Sequence, residues 1–276
     1  MMMKRVLTAL VLIPLVLVLV IERPYWLVDL VVALVAEIAL WEYCNLANVS
    51  GVKTARISSF IAVAFLYFAT YWRPELLVTL TGAIPLAILI VCVFHSPLDR
   101  ALADTAFSVF GVLYIGLSLT TLPLLSQQDN GPALLIFLLF VVWAGDSTAL
   151  YVGRAWGRRK LAPSISPGKT WEGSIASVSG SLIITGLLLW FAVFLQAHGV
   201  TTLSYPGSVI RWLVLAVIVN VAAQVGDLIE SAIKRGAGVK DSGTLLPGHG
   251  GMLDRIDALL LAAPILWYAL IIQQSF

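Results

Sequence analysis

Charge, cysteine and histidine are all scarce in this sequence. Only 12% of its 276 residues are Asp, Glu, Lys or Arg, and there are two cysteines and three histidines. Because soluble domains carry about a quarter charged residues, the composition excludes a soluble globular enzyme and a disordered chain. The two cysteines, Cys44 and Cys92, both lie in apolar runs and exclude a disulfide scaffold. The formal net charge of +2 is too small to indicate a nucleic-acid partner.

Apolar residues, in contrast, make up 60% of the chain, and the mean hydropathy is +0.96. A helix that crosses a bilayer needs about 20 mostly apolar residues. The sequence therefore predicts an all-α polytopic integral membrane protein with about nine transmembrane helices. The predicted spans lie near residues 6–21, 27–48, 56–71, 76–94, 101–125, 132–152, 173–196, 211–233 and 255–273.

The spans and loops predict a two-part organisation and a sidedness. Residues 1–125 form an N-terminal transmembrane region of about five spans, and residues 126–276 form a C-terminal region with longer polar loops at 153–172 and 234–254. With nine spans, 14 of the 17 Lys and Arg residues share one face, and the other face holds only Arg23, Arg73 and Arg211. An excess of cations marks the cytoplasmic side. The N-terminus and both polar loops are therefore predicted to be cytoplasmic.

Acidic residues inside the predicted spans are the first candidates for function, because charges in a membrane are costly. Asp146 lies late in the sixth span, Asp227 and Glu230 late in the eighth, and Asp254 and Asp257 open the ninth. Each pair is three residues apart, which places its members on one helix face. We expect these carboxylates to meet near the cytoplasmic surface and to bind a hard cation such as Mg²⁺, which prefers carboxylate oxygens and substrate phosphates.

A set of structural ion pairs is the alternative explanation for these carboxylates. In that interpretation Glu230 pairs with Lys234 one helical turn later, and Asp254 pairs with Arg235. Three further acids lie in predicted spans with less informative neighbours: Glu37, Glu42 and Asp104.

The first polar loop contains a predicted helix start, at residues 164–173. Ser166 is the expected N-cap, and Pro167 fits the first helical turn. A helix N-terminus with Lys169 beside it suits phosphate binding through backbone N–H groups. The alternative is an ordinary capped helix whose lysine only follows the positive-inside rule.

The second polar loop combines cations with six glycines between residues 234 and 251. Glycine allows close backbone approach and positive φ angles, so Lys234, Arg235 and Lys240 are predicted to line a phosphate cradle. The alternative is a flexible connector. His249 is expected to bind phosphate, to act as acid or base, or to satisfy a loop carbonyl, and we favour a positioning role.

Residues 231–257 resemble the signature of the phosphatidate cytidylyltransferases, also called CDP-diacylglycerol synthases. The matching features are Ser231, Lys-Arg at 234–235, Lys-Asp at 240–241, His-Gly-Gly at 249–251 and Asp-Arg-x-Asp at 254–257. A second block also resembles the family: Gly145-Asp-Ser, Gly153-Arg, and Ser-Pro-Gly-Lys-Thr-Trp-Glu-Gly at 166–173. Gly168 stands where the family often has a basic residue.

The resemblance implies a membrane enzyme that converts CTP and phosphatidate to CDP-diacylglycerol and pyrophosphate. It implies Mg²⁺, a monovalent cation such as K⁺, a homodimer and a catalytic region at 126–276, in a bacterial cytoplasmic (inner) membrane with the active site facing the cytoplasm. The residue roles that we expect are catalytic for Lys234, Arg235, Lys240, Asp241, His249 and Arg255, substrate-binding for Asp146, Ser166, Lys169, Thr170 and Glu172, and metal-binding for Asp227, Asp254 and Asp257.

Three other classes of protein compete with this interpretation. A transporter would place its carboxylates near the bilayer midplane, in broken helices of paired repeats. A kinase of polyprenol alcohols would use the same metal and phosphate chemistry, and only the signature separates it from a cytidylyltransferase. A structural membrane subunit would leave the acidic and basic residues without an explanation.

Overall fold

The computed structural model describes residues 13–21, 24–245 and 250–274, and most of these residues are helical. Each predicted span after the first coincides with one or more helices, within a few residues at each end. Residues 13–21 are helical; the remainder of the first predicted span, residues 6–12, lies outside the described residues. The helices that follow are α1 (Tyr25–Val49), α2 (Arg56–Trp72), α3 (Leu76–His95), α4 (Ala101–Gly111), α5 (Ser118–Ser126), α6 (Gly131–Trp156), α7 (Trp171–Ala197), α8 (Val209–Gly236), α9 (Leu253–Ile256) and α10 (Leu259–Gln274).

Six helical segments in the described part of the chain are long and apolar enough to cross a membrane. They are Leu76–His95, Ala101–Ser126, Gly131–Trp156, Trp171–Ala197, Val209–Gly236 and Leu253–Gln273. Large apolar side chains lie on their outer surfaces; Phe94 is 80% exposed and Trp190 is 65% exposed. Such surfaces are stable in lipid and not in water. The protein is therefore an integral membrane protein.

The first polar loop contains a β-hairpin, so the all-α prediction was wrong there. Strands β1 (Lys160–Ala162) and β2 (Ser166–Thr170) pair in antiparallel orientation. Ser166 is accordingly a strand residue and not the N-cap that the sequence predicted. Helix α7 begins only at Trp171, because Thr170 has an extended backbone and its Oγ1 accepts a hydrogen bond from Gly173 N at 3.2 Å.

The ninth predicted span is not one continuous helix. Helix α9 ends at Ile256, and α10 begins at Leu259. Asp257 lies in the intervening turn, where its Oδ1 accepts a hydrogen bond from Ala258 N at 2.8 Å. Local bonds of this kind compete with helical hydrogen bonds. The prediction that Asp254 and Asp257 share one helix face was therefore wrong, because the helix ends between them.

The fifth predicted span contains a π-helical segment, Val112–Leu117, between α4 and α5. Gly111, just before this segment, and Gly116, within it, permit close packing of neighbouring side chains. A Cβ on Gly111 would lie 2.6 Å from the Tyr43 ring, and one on Gly116 would lie 2.6 Å from Val63 Cγ2. Insertions of this type inside helices often occur where a helix must accommodate its neighbours.

The described residues form two compact units. The first contains residues 13–19, 24–124, 233–245 and 250–256. Within it α1 packs against α2, and the Tyr43 hydroxyl donates to the Phe107 carbonyl at 3.1 Å. Asp104, one of the minor acidic candidates, accepts a hydrogen bond from Lys53 N at 3.0 Å and so satisfies the backbone of a short connection. Both cysteines are buried and free, as the sequence predicted.

The second unit contains residues 20–21, 125–232 and 257–274. Helices α6 and α7 lie close together in it because small residues line their contact. A Cβ on Gly180 would come within 3.0 Å of three Thr148 side-chain atoms, and Gly153 faces Gly173. Small residues at such contacts are typical of helices that associate within lipid. This packing holds the start of α7 and the end of α6 beside each other.

Candidate active site

The second unit contains a cavity of about 580 Å³. Its walls are the last turns of α6, strand β2, the first turns of α7 and part of α8. Five residues that the sequence predicted as site residues line it: Asp146, Ser166, Lys169, Thr170 and Asp227. Arg154, Ser174, Ser177 and Gln224 line it as well, and the sequence had given them no role. A volume of this size fits a drug-sized ligand.

Lys169 and Asp227 form an ion pair in this cavity. Lys169 Nζ lies 2.6 Å from Asp227 Oδ2, and the two side chains are 24% and 34% exposed. Strand β2 presents Lys169 immediately before the N-cap Thr170. Among the described residues, the other oxygen of Asp227 accepts one long hydrogen bond of 3.4 Å, from Ser231 Oγ. Asp227 therefore already binds one cation, and it retains acceptor capacity toward the cavity.

A ladder of polar side chains, some of which line the cavity, joins α8 to α7. Asn220 Nδ2 donates to Ser177 Oγ at 2.9 Å and to Ser181 Oγ at 2.8 Å. Gln224 Nε2 donates to Asn220 Oδ1 at 2.7 Å, and Ser174 Oγ donates to Gln224 Oε1 at 2.5 Å. Hydrogen bonds between membrane helices fix their rotation, so this ladder orients the face of α8 that carries Asp227.

Glu172 organises the basic segment that precedes the hairpin. Its carboxylate accepts hydrogen bonds from Arg158 N at 3.1 Å and from Arg159 N at 3.3 Å. It also lies in the first turn of α7, where a negative charge interacts favourably with the helix dipole. Glu172 thus holds the backbone of these two exposed arginines at the entry to the hairpin.

A second polar cluster lies in the first unit, around Asp254. Its Oδ1 binds Lys234 Nζ at 2.5 Å, and both side chains are largely buried. Its Oδ2 accepts hydrogen bonds from Ser242 N at 2.9 Å, Ser242 Oγ at 2.9 Å and Gly251 N at 2.8 Å. The ion pair of Asp254 is therefore with Lys234, whereas the Arg235 guanidinium donates to the Val239 carbonyl at 2.9 Å.

The carboxylates differ in how well they suit a metal ion. Among the described residues no group of three or more His, Cys, Asp and Glu side chains is placed to hold one. Mg²⁺ needs only one or two protein carboxylates together with phosphates and water, and Asp146 and Asp227 line the same cavity. These two residues fit Mg²⁺. Asp254 accepts four hydrogen bonds, three of them at Oδ2, so a metal ion would have to share Oδ1 with Lys234.

The remaining predicted residues lie in or beside the second polar loop. Lys240, Asp241 and Arg255 are exposed. Asp257 is half-buried and holds the turn before α10. His249 lies outside the described residues, so its role stays a prediction.

Glu42, one of the minor acidic candidates, makes contacts that the sequence did not predict. It is fully buried on α1, and it accepts hydrogen bonds from Ser242 Oγ, Met252 N and Leu253 N. The signal for it in the sequence was a single acid within a predicted span, and the same signal is given by Glu37 and Asp104.

The chain is similar to known proteins over most of its length. A model of the cytidylyltransferase family matches residues 3–273. A phosphatidate cytidylyltransferase of Pseudomonas aeruginosa is 34% identical over 283 residues, which cover 96% of this chain and 97% of that protein.

Two further proteins with the same name, from Brucella abortus and Haemophilus influenzae, are 43% and 45% identical over 164 and 139 residues. These matches cover 57% and 50% of this chain, and the chain spans about half the length of these two relatives, 54% and 46%. Because the family model and the Pseudomonas protein both match almost the whole sequence, the chain belongs to the cytidylyltransferase family.

Proposed function

We propose that the protein transfers the cytidylyl group of CTP to phosphatidate, which gives CDP-diacylglycerol and pyrophosphate. The observation that carries this proposal is the cavity of the second unit, where Lys169, Asp227, Asp146 and the N-cap Thr170 line one space. Cations, carboxylates and a helix start are the groups that bind a metal–nucleotide complex. The name shared by the relatives supports the choice of CTP and phosphatidate.

The reaction is an in-line displacement at the α-phosphorus of CTP. A phosphate oxygen of phosphatidate forms the new P–O bond, the bond from the α-phosphorus to the α,β-bridging oxygen breaks, and pyrophosphate leaves. A phosphate monoester has a second pKa of about 6 and is mostly dianionic at neutral pH, so the nucleophile needs no strong general base. The main barrier is the approach of two polyanions, which positive charge must offset.

The residues of the cavity supply that charge and its placement. Mg²⁺, when bound, would neutralise phosphate oxygens and polarise the phosphorus centre, and Asp146 and Asp227 are the residues here that would hold it. Lys169 exchanges its contact with Asp227 for a phosphate oxygen when the nucleotide enters. The backbone N–H groups at the start of α7 bind a second phosphate oxygen, with Ser166 and Thr170 at the cavity wall.

The roles predicted for the other residues complete the proposal. Lys234, Arg235, Lys240 and Arg255 bind phosphates of CTP or of the lipid, and K⁺ is the proposed second cation. We further propose about nine spans with a cytoplasmic N-terminus, in a bacterial cytoplasmic membrane, with the cavity open to the cytoplasm and the chain in a homodimer. The charge asymmetry of the loops supports this sidedness. Phosphatidate keeps its acyl chains in the bilayer and presents only its headgroup.

The test is an assay of the purified full-length protein in lipid nanodiscs that contain phosphatidate. With CTP and Mg²⁺ we expect CDP-diacylglycerol and pyrophosphate in equal amounts, and no product when Mg²⁺ is replaced by a chelator. Parallel reactions replace CTP with ATP and phosphatidate with a polyprenol. Phosphorylated polyprenol formed from ATP, with no CDP-lipid from CTP, would refute the proposal in favour of a lipid-alcohol kinase.

A further inference from the structure

Glu42 connects a helix near the start of the chain to the second polar loop. Its carboxylate is completely buried on α1. Its Oε2 accepts hydrogen bonds from Ser242 Oγ at 3.0 Å and from Leu253 N at 2.8 Å, and its Oε1 accepts one from Met252 N at 2.9 Å. These donors follow Glu42 by 200 to 211 residues in the sequence. A buried charge with three donors is well satisfied and holds all of them in place.

Two glycines of the loop lie directly against this carboxylate. A Cβ on Gly243 would be 2.6 Å from Glu42 Oε1, and a Cβ on Gly251 would collide with Glu42 Oε2 and Ser242 Oγ. Neither glycine has a positive φ angle, so the close approach, and not the backbone conformation, requires glycine at these two positions. The chain at Gly243 and at Gly251 therefore packs directly against the Glu42 carboxylate.

The contact extends from Glu42 to the Asp254–Lys234 ion pair. The Ser242 hydroxyl also donates to Asp254 Oδ2 at 2.9 Å, so it bridges the two carboxylates. Asp254 in turn binds Lys234 Nζ and Gly251 N. Displacement of Glu42 would therefore change the position of the loop ends and, through Ser242 and Asp254, the position of the lysine ammonium group.

We propose that Glu42 is a positioning residue that clamps both ends of the segment 242–253 and thereby fixes Lys234 for phosphate binding. The clamp itself stands on the hydrogen bonds of the first unit, whereas its role in catalysis rests on the proposed function. A merely structural Glu42 would lower the stability of the protein, and its removal would lower activity by the same factor in any background.

Hydrogen exchange of the full-length protein tests the clamp without any assay of activity. In Glu42→Gln, peptides that contain the amides of Met252 and Leu253 should exchange about tenfold faster than in the unsubstituted protein, because charge-assisted hydrogen bonds are lost. The matched control is Glu37→Gln, which makes the same substitution five residues earlier on α1 and should leave these peptides unchanged. Unchanged exchange in Glu42→Gln would overturn the inference.

Kinetics in two backgrounds test the positioning role. Glu42→Gln should lower kcat/KM for CTP about tenfold in the unsubstituted protein and less than threefold when Lys234 is already alanine, because residues that act through one another are not additive. An equal loss in both backgrounds would refute positioning. Ser242→Ala replaces Glu42→Gln if the latter does not fold, since it removes one donor and leaves the charge bound by two N–H groups. If the unsubstituted protein makes no CDP-lipid, the proposed function fails and the exchange result still decides the clamp.

Discussion

The sharpest prediction concerns Asp227, whose charge should matter for activity far more than for stability. Asp227→Asn removes one negative charge from the cavity and keeps the size of the side chain. The ion pair with Lys169 is partly exposed, with side chains 24% and 34% accessible, and partly exposed pairs contribute about 0–1 kcal/mol to stability. The free energy of unfolding should therefore fall by no more than about 1 kcal/mol.

The activity of Asp227→Asn should fall much further, because a carboxamide binds Mg²⁺ weakly and does not hold Lys169 in place. We expect kcat/KM for CTP to fall at least about 100-fold, which corresponds to about 2.7 kcal/mol of lost transition-state stabilisation. The assay measures CDP-lipid formation over a range of Mg²⁺ concentrations, beside thermal unfolding of the same preparation. Glu75→Gln is the matched control, since it breaks the exposed Arg73–Glu75 pair of 3.4 Å. Normal Mg²⁺-dependent turnover in Asp227→Asn would refute the metal assignment.

Three further variants probe the framework of the site. Thr170→Ala removes the N-cap side chain of α7 and should lower the free energy of unfolding by about 1 kcal/mol and lower the affinity for CTP. An unchanged KM for CTP would show that the N-cap does not contribute to nucleotide binding. Asn220→Leu removes the side-chain amide that bonds to Ser177, Ser181 and Gln224 and should cost about 2 kcal/mol in detergent unfolding, whereas a neutral result would contradict the polar ladder. Asp254→Asn removes the carboxylate charge that pairs with the largely buried Lys234 and should cost about 3 kcal/mol, which equilibrium unfolding measures; a loss below about 1 kcal/mol would contradict a stabilising ion pair.

The helices were predictable because lipid as a solvent imposes long apolar runs, and eight predicted spans lie within a few residues of the observed helices. Two predictions failed, the helix start at Ser166 and the continuous ninth span, because both depend on local hydrogen bonds that hydropathy does not describe. The hairpin before α7 follows from the extended Thr170 and its cap, and the break before α10 follows from the bond between Asp257 and Ala258. Neither deviation changes the apolar content of the segment.

Five residues of the cavity were predictable from residue type and motif, but their partners were not, and neither were Arg154, Ser174, Ser177 and Gln224. Lys169 and Asp227 were both candidates, but no spacing in the sequence indicated that the strand would bring that lysine to the carboxylate. Glu42 is the clearest case, because its nearest donor in sequence is 200 residues away. The sequence of one segment identifies a charged residue in a predicted membrane span. Only the fold shows which distant backbone groups bind that residue.

Asp227 and Asp254, two of the three aspartates with a predicted metal role, differ in the donors that they bind. A carboxylate offers about four acceptor positions. Asp254 accepts bonds from Lys234, from two donors of Ser242 and from Gly251 N, whereas among the described residues Asp227 binds Lys169 and accepts one long bond from Ser231. An incoming cation at Asp227 would therefore compete with one partly exposed lysine, and at Asp254 it would enter a more buried network of four hydrogen bonds. We therefore expect a metal–nucleotide complex to bind more readily at Asp227 than at Asp254, which accepts hydrogen bonds from Ser242 and Gly251 at the two ends of the loop.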